Sequence, residues 1–340
     1  MLTFSRITDV PTWEKMKDEW NQLHDQSQTR VPFLRHEFLR HWWDTCGGGE
    51  WDKGKLEIVL AHDGDKLVGI APLFFTIRKD GRRSLMFLGS FEIVDYLDVI
   101  VIPEYLDPFL LQLLAYLTTS EIPEWDEISL YNILDESATL ESLKKAARQV
   151  GWSYEEKELQ KAPFICLTGN WDTYLAGIDK KQRHEIRRKM RRADEAEQPV
   201  SVYVTREAEK LDADIHSFLE LMAYDEEKKQ FLTPKMTEQM ENTLRCAFDT
   251  GCLHLAFLEI GGVKAAAYMS FDYLHRLWVY NSGLNPAFNA YSPGWVLLGH
   301  LLKWANENQY SEFDFLRGDE EYKYRFGAVD RRVYRVRLKR

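Results

Sequence analysis

Two hydrophobic periods alternate along the chain. Some stretches repeat apolar residues every three or four positions, as an amphipathic helix does, and others alternate strictly or run apolar, as strands do. The spacing predicts helices over 11–23, with Thr12 as N-cap, and over 33–46, stopped by Gly47-Gly48-Gly49. Strands follow. Segment 56–78 holds Asp63-Gly64 between apolar runs, a hairpin signal, and Asp80-Gly81 marks a second turn before SLMFLG. Segment 95–103 reads as a strand closed by Pro103, 104–119 as a helix and 126–132 as a strand. Segment 137–150 reads as a helix ending at Gly151, and 163–167 as a strand.

The second half carries the same order of periods. Helix 172–196 leads to an alternating strand at 201–207 and helices at 211–229 and 234–250. Segment 252–285 is a set of strands joined at Gly261-Gly262 and near 273–275. A long helix (293–308), strand 312–316 and a final strand 333–339 close the chain. The hairpins 56–78 and 252–272 are each followed by a strand, a long helix and another strand. The pattern predicts one α/β (α+β) unit used twice, with domains at 1–165 and 166–340.

The length of 340 residues suits two such units. The net charge of −10 argues against a general nucleic-acid binder, DNA included. The distribution is more telling than the average. Segment 180–192 (KKQRHEIRRKMRR) carries +7 and segment 331–340 (RRVYRVRLKR) carries +6, which leaves the rest of the chain at −23. Two basic patches on an acidic body point to a local anionic ligand. On the first patch, Arg183, Arg187 and Arg191 form one stripe at four-residue spacing. The cations of the last strand read as the exposed face of an edge strand.

Cys46, Cys166, Cys246 and Cys252 are scattered, without a CxxC pair or zinc-finger spacing, so no metal site is expected. The nine histidines show no HExxH spacing, and no P-loop or GxSxG elbow occurs. The start of the chain has no apolar signal core, and the longest apolar stretch, 67–77, is about half of a bilayer span. A soluble cytoplasmic protein is expected, with peripheral membrane contact left open.

Candidate chemistry concentrates at 278–327. Tyr291-Ser292-Pro293-Gly294 opens a helix, with Ser292 as N-cap, Pro293 at the first helical position and Gly294 leaving room for close approach. Free N–H groups at a helix start suit a phosphate, though a capped helix needs no ligand. Then FDFLRGDEEYKYRFG (313–327) gathers Arg317, Asp319, Glu320, Tyr322 and Lys323 after an apolar strand, where ligand-contacting groups gather in α/β proteins. An ion-paired surface turn explains the same letters equally well. In the first half, FEIVDYLDVIV (91–101) sets Asp95, Tyr96 and Asp98 at a strand start.

Together, SPG at a helix start, FDFLRGDEEYKYRFG and the basic KKQRHEIRRKMRR segment resemble the GNAT superfamily of N-acyltransferases. More closely it resembles the CelD-like branch, which shares a tandem arrangement with the FemABX peptidyltransferases. The resemblance covers nearly the whole chain, strongly at 291–327 and 180–192 and weakly over 1–55. It implies tandem GNAT-like domains, each a mixed, mostly antiparallel sheet flanked by helices, with the donor site in the second. It implies that strand 276–282 splays from its neighbour and that an acyl thioester lies in the gap. Tyr280, Asn281, Ser282, Tyr291, Ser292, Gly294, Arg183 and Arg187 would then hold the donor, with N–H groups around 281–284 on the carbonyl oxygen. The family's phosphate loop is glycine-rich; here PAFNAYSPG has one glycine.

The implied reaction moves an acyl group from an acyl thioester to an amine. Acyl-CoA or acyl carrier protein serves as donor substrate, with no permanently bound cofactor. The acceptor is a small, sugar-linked or lipid-precursor amine, in envelope or lipid biosynthesis. Tyr322 would protonate the leaving thiolate. Asp319 or Glu320 would act as base or amine holder, and Lys323 would bind an anionic group or pair with Asp319. Asp95, Tyr96, Asp98 and Arg317 would touch the acceptor between the halves. Two alternatives stand beside this: a FemABX-like transferase using aminoacyl-tRNA, and a non-catalytic binding module in polysaccharide or lipid assembly.

Overall fold

The computed structural model describes residues 1–89 and 92–340; Phe91, first of the segment 91–101, lies outside the described residues. The chain divides into two compact units, Met1–Gln160 with Arg331–Arg340, and Lys161–Asp330. The basic C-terminal ten residues therefore belong to the first unit, not to the second half as the simple halving expects.

The first unit runs β1 (Thr3–Ile7), α1 (Val10–Lys15), α2 (Lys17–Gln26), α3 (His36–Asp44), α4 (Cys46–Gly49), β2 (Gly54–Leu56), β3 (Ile58–Asp63), β4 (Lys66–Ala71), β5 (Leu73–Ile77), β6 (Arg83–Phe87), β7 (Ile100–Val101), α5 (Leu106–Tyr116), β8 (Glu127–Leu134), α6 (Ala138–Val150) and β9 (Ser153–Cys166). The second contains α7 (Trp171–Gly177), α8 (Lys180–Asp194), β10 (Val200–Val204), α9 (Ala208–Met222), α10 (Glu226–Phe231), α11 (Pro234–Asp249), β11 (Leu253–Ile260), β12 (Val263–Tyr273), β13 (Arg276–Leu284), α12 (Pro293–Glu307), β14 (Glu312–Asp314) and α13 (Glu321–Arg325). The last strand, β15 (Val329–Lys339), returns to the first unit.

In the first unit one sheet has the order β1-β3-β4-β7, all antiparallel, and another has the order β15-β8-β6-β5-β2, antiparallel except for β6 beside β8. The hairpin predicted at Asp63-Gly64 is the β3–β4 turn. Local chemistry corrects several expectations. Asp9, not Thr12, caps the first helix, accepting the Thr12 N–H at 2.9 Å. The stretch 95–103 is paired as strand only at β7, and Asp98 before it is bonded inward to Thr29 and Ser137. Strand β9 begins ten residues earlier than expected, since its polar sequence SYEEKEL gives no apolar signal. Strand β15 is flanked by β9 and β8, so it is no edge. Its Arg335 and Arg337 pair with Glu155, and Arg337 also with the buried Glu127.

In the second unit β10, β11, β12 and β13 form successive antiparallel pairs, then β14 joins β13 in parallel and meets the end of β9 antiparallel. The predicted helix 172–196 breaks at Ile178, and Asp179 caps α8 by accepting from Lys181 and Gln182 N–H. The predicted helix 211–229 likewise divides, with Asp225 capping α10. Helix α12 places Val296, Leu297 and Leu301 on Ala256, Ala266 and Leu277 of the sheet. Burial of such side chains contributes about 1.5–3 kcal/mol each. Among the described residues no helix is long and apolar enough to cross a membrane, and no cluster of His, Cys, Asp or Glu could hold a metal ion. Among the described residues no cysteine is joined in a disulfide.

Two buried histidines make the fold acid-sensitive. His254 on β11 packs at 4.7 Å against Trp304, and neither ring nitrogen has a hydrogen-bond partner among the described residues. Burial first, then the charge of Arg206, lowers its pKa to about 4; burial, Arg35 and Arg30 lower that of His24 to about 3. Both values lie below the ordinary 6.5, so unfolding takes up protons as pH falls. Their stabilisation is complete above about pH 6.5 and is lost on the way down to about pH 4 for His254 and about pH 3 for His24, by about 1.4 kcal/mol per pH step for each histidine. Urea unfolding at pH 7.0 and 5.0 should show this slope, and His254→Gln should flatten it; a pH-independent midpoint contradicts the prediction.

Candidate functional site

The second unit contains a parting between two strands. Strand β13 pairs with β14 through three partners only, Arg276–Glu312, Leu277–Phe313 and Trp278–Asp314. Beyond Trp278, β13 continues to Leu284 along β12, while the other strand has ended. A bulge lies in this free part: the register with β12 shifts between Met269 and Ser270, so Tyr280 is the extra residue on β13. A bulge leaves main-chain groups outside the ladder and re-aims the side chains around it. Tyr280, Asn281 and Ser282, expected at the splayed strand, all lie here.

The segment after β14 turns away sharply. Asp314 accepts the Leu316 N–H at 2.7 Å, and Leu316 adopts a left-handed backbone, φ 56°. Gly318 has φ 109°, and a side chain there would meet the Glu320 carboxylate at 2.7 Å. Lys323 holds the turn from inside. Its ammonium is 3% exposed and donates to the carbonyls of Phe315 at 3.2 Å, Arg317 at 3.2 Å and Gly318 at 2.8 Å, with Glu320 at 2.8 Å as counter-charge. The lysine is thus a strut, and its carboxylate partner is Glu320 rather than Asp319. A buried ammonium without such partners is unstable, which is why it gathers four acceptors.

Tyr322 follows on α13. Its ring meets Phe315 edge-on at 6.0 Å, and Tyr268 of β12 lies close enough to its hydroxyl to act on its charge. Tyr268 is the register partner of Ser282, so this phenol pair lies one strand from the free edge of β13. Burial, reinforced by Tyr268 and Glu320, holds the Tyr322 hydroxyl well above its usual pKa; burial also raises Tyr268. Both stay protonated at neutral pH. Asp319 and Glu320 are exposed, with Glu320 near enough to act on both phenols, and Arg317 is half-buried.

The expected donor residues divide. Ser292 is not a side-chain cap: it sits in a left-handed conformation, φ 53°, with no cap hydrogen bond, because a 3₁₀ turn over Pro286–Tyr291 runs directly into it. Gly294 is buried, and the space that it leaves is filled by Leu284, 2.7 Å from where a Cβ would stand. Tyr291 packs against the core under α12. Arg183 donates to the Leu175 and Ala176 carbonyls at the end of α7, a structural use; Arg187 is exposed and pairs with Asp172 at 3.3 Å. Lys189 lies 4.1 Å over the Trp295 ring, which ties α8 to α12.

In the first unit Asp95 and Tyr96 are buried, and Asp98 is wholly so. Asp98 accepts from Thr29 at 2.6 Å, Ser137 at 2.5 Å and the Val99 N–H at 2.8 Å, and burial raises its pKa. It is a bonded core group of the first unit.

Two residues at the parting carry no sequence signal. Tyr268 looks like an ordinary core aromatic. Lys228, in the charged run DEEKKQ, reads as a solvated helix face, yet its ammonium reaches the Ser282 carbonyl at 2.5 Å.

Residues 180–324 match the family model described as an acetyltransferase (GNAT) domain. No curated protein sequence matches the chain. Among solved structures, FemX superposes with a TM-score of 0.67 at 11% identity, over 98% of this chain and 96% of that one. A conserved protein of unknown function from Bacteroides thetaiotaomicron gives 0.62 at 12% identity, over 100% of both chains. The structure of L-PGS from Bacillus licheniformis gives 0.54 at 11%, over 97% and 91%. At these identities the likeness is one of fold, and it spans both units. The second unit has a GNAT acetyltransferase-type fold.

Replacing the strut tests the turn. Lys323→Met leaves three carbonyls without their donor and should cost about 2–4 kcal/mol in denaturant unfolding. An unchanged midpoint would remove Lys323 from this role.

Proposed function

We propose that the chain transfers an acyl group from an activated donor, an acyl thioester such as acyl-CoA or acyl carrier protein, to the amine of a small, sugar-linked or lipid-precursor acceptor. The observation that carries this reading is a free, bulged strand edge beside a protonated phenol pair, within a GNAT-type domain. An acyl carbonyl at the bulge meets the Ser282 main-chain N–H once the Asn281 side chain yields it, and that donor stabilises the charge that develops on the carbonyl oxygen. An alkyl ammonium has a pKa of about 10.4, so the amine must lose a proton before attack. Glu320 and Asp319 are the carboxylates at hand to hold the ammonium and take that proton, directly or through water. The amine nitrogen then forms a bond to the acyl carbon, the carbon–sulfur bond breaks, and Tyr322 gives its proton to the leaving thiolate.

A second reading uses an aminoacyl ester of tRNA as donor. It is favoured by the exposed cations Lys180, Lys181, Arg191 and Arg192 on α8. RNA binding that weakens steeply with salt would support it, since phosphate contacts release counterions.

Incubation with acetyl-CoA or acyl carrier donors and a panel of amines should release free thiol. Tyr322→Phe should lower kcat by about 100-fold at unchanged fold, and the wild-type rate should show no alkaline loss below about pH 10, where the phenol keeps its proton. No thiol release with any donor overturns the reading.

A further inference from the structure

The free edge of β13 is already occupied by the chain itself. In an antiparallel ladder the N–H and C=O of alternate residues point to the same side. Asn285 donates its N–H to the Ala265 carbonyl, so Asn285, Gly283 and Asn281 face β12, and Ser282 faces the open side. Its two main-chain groups are both taken. The Ser282 N–H donates to the Asn281 side-chain oxygen at 2.8 Å. The Ser282 carbonyl accepts from Lys228 Nζ at 2.5 Å, with the Ser282 hydroxyl 3.5 Å from the same nitrogen.

Lys228 is not a loose surface lysine. Burial lowers its pKa, against the pull of Asp225 and Glu320. It lines a cavity of about 170 Å³ with Tyr224, Ser282, Leu284, Pro286 and Asn289. That cavity runs from the free edge towards the 3₁₀ turn before α12. An extended arm bearing amides binds a free strand edge as an added strand, through main-chain hydrogen bonds. Here the Ser282 carbonyl that such an arm would need is held by an ammonium.

We propose that Lys228 is a donor-specificity residue: it withholds the Ser282 carbonyl from the amide-bearing arm of a carrier thioester, so donors are selected at their acyl end. This rests on the acyl-transfer reading. Lys228 holds the edge in competition with any arm, and removing it exposes one acceptor to the ligand. One regained hydrogen bond corresponds to about a tenfold gain in affinity.

Calorimetric titration with CoA tests this without turnover. Lys228→Ala should bind CoA about tenfold more tightly than wild type, and Lys228→Arg, which keeps a donor at Ser282, should match wild type. Asn281→Ala, which frees the Ser282 N–H, should shift affinity in the same direction and serves if Lys228→Ala does not fold. Equal affinity in all proteins, undetectable binding in all, or weaker binding after Lys228→Ala overturns the proposal. Thiol release from acetyl-CoA, measured alongside, separates the two claims. Tighter CoA binding without release removes the acyl-transfer reading and leaves the edge closed by Lys228; release with unchanged affinity does the reverse.

Discussion

Everything at the site depends on how soon β13 and β14 stop pairing. Three partners hold them, and then Asp314 turns from ladder to loop by accepting the Leu316 N–H. A parallel pair that continued would bury its main-chain groups in a ladder and leave nothing for a ligand. Two devices enforce the break. The left-handed Leu316 and Gly318 bend the chain, and Lys323 gathers the three carbonyls that the bend leaves inside. An ammonium is strong enough for this because charged hydrogen bonds are worth about twice neutral ones. The same turn delivers Tyr322 to Tyr268, beside the strand edge that the break exposes.

The distribution of charge follows a similar economy. The basic helix α8 suggested a single anion-binding stripe. Its residues have separate duties instead: Arg183 caps α7, Lys189 covers Trp295, and Arg188 pairs with Glu185. What remains exposed for an anion is the pair Lys180 and Lys181 at one end and Arg192 at the other, where Arg191 stands 4.0 Å from Glu195. Of the C-terminal cations, Arg335 and Arg337 are likewise spent within the first unit, on Glu155 and Glu127. The acidic body is therefore partly neutralised from inside.

Elements with one dominant period were legible from the sequence. The Asp63-Gly64 hairpin, helix α6 ending at Gly151, helix α12 and the apolar strand before Arg317 stand where the pattern puts them. Breaks set by a single side chain were not: Asp179 and Asp225 divide expected helices because a carboxylate caps better than a helix interior position holds it. The polar start of β9 and the buried arginines of β15 misled for a different reason. Ion pairs between neighbouring strands hide charge that the sequence shows as exposed. At the site, Tyr322 and Glu320 were visible as letters in a dense motif. Tyr268 and Lys228 were not, because only tertiary packing brings an aromatic of β12 and a lysine of α10 to the edge of β13.

Hydrogen–deuterium exchange with and without saturating acetyl-CoA tests the central claim, that the parting of β13 from β14 is where the donor's acyl end enters. Peptides covering 279–284 and 314–323 should exchange more slowly with donor present. Protection confined to the first unit, or none at these segments while thiol is being released, would contradict it.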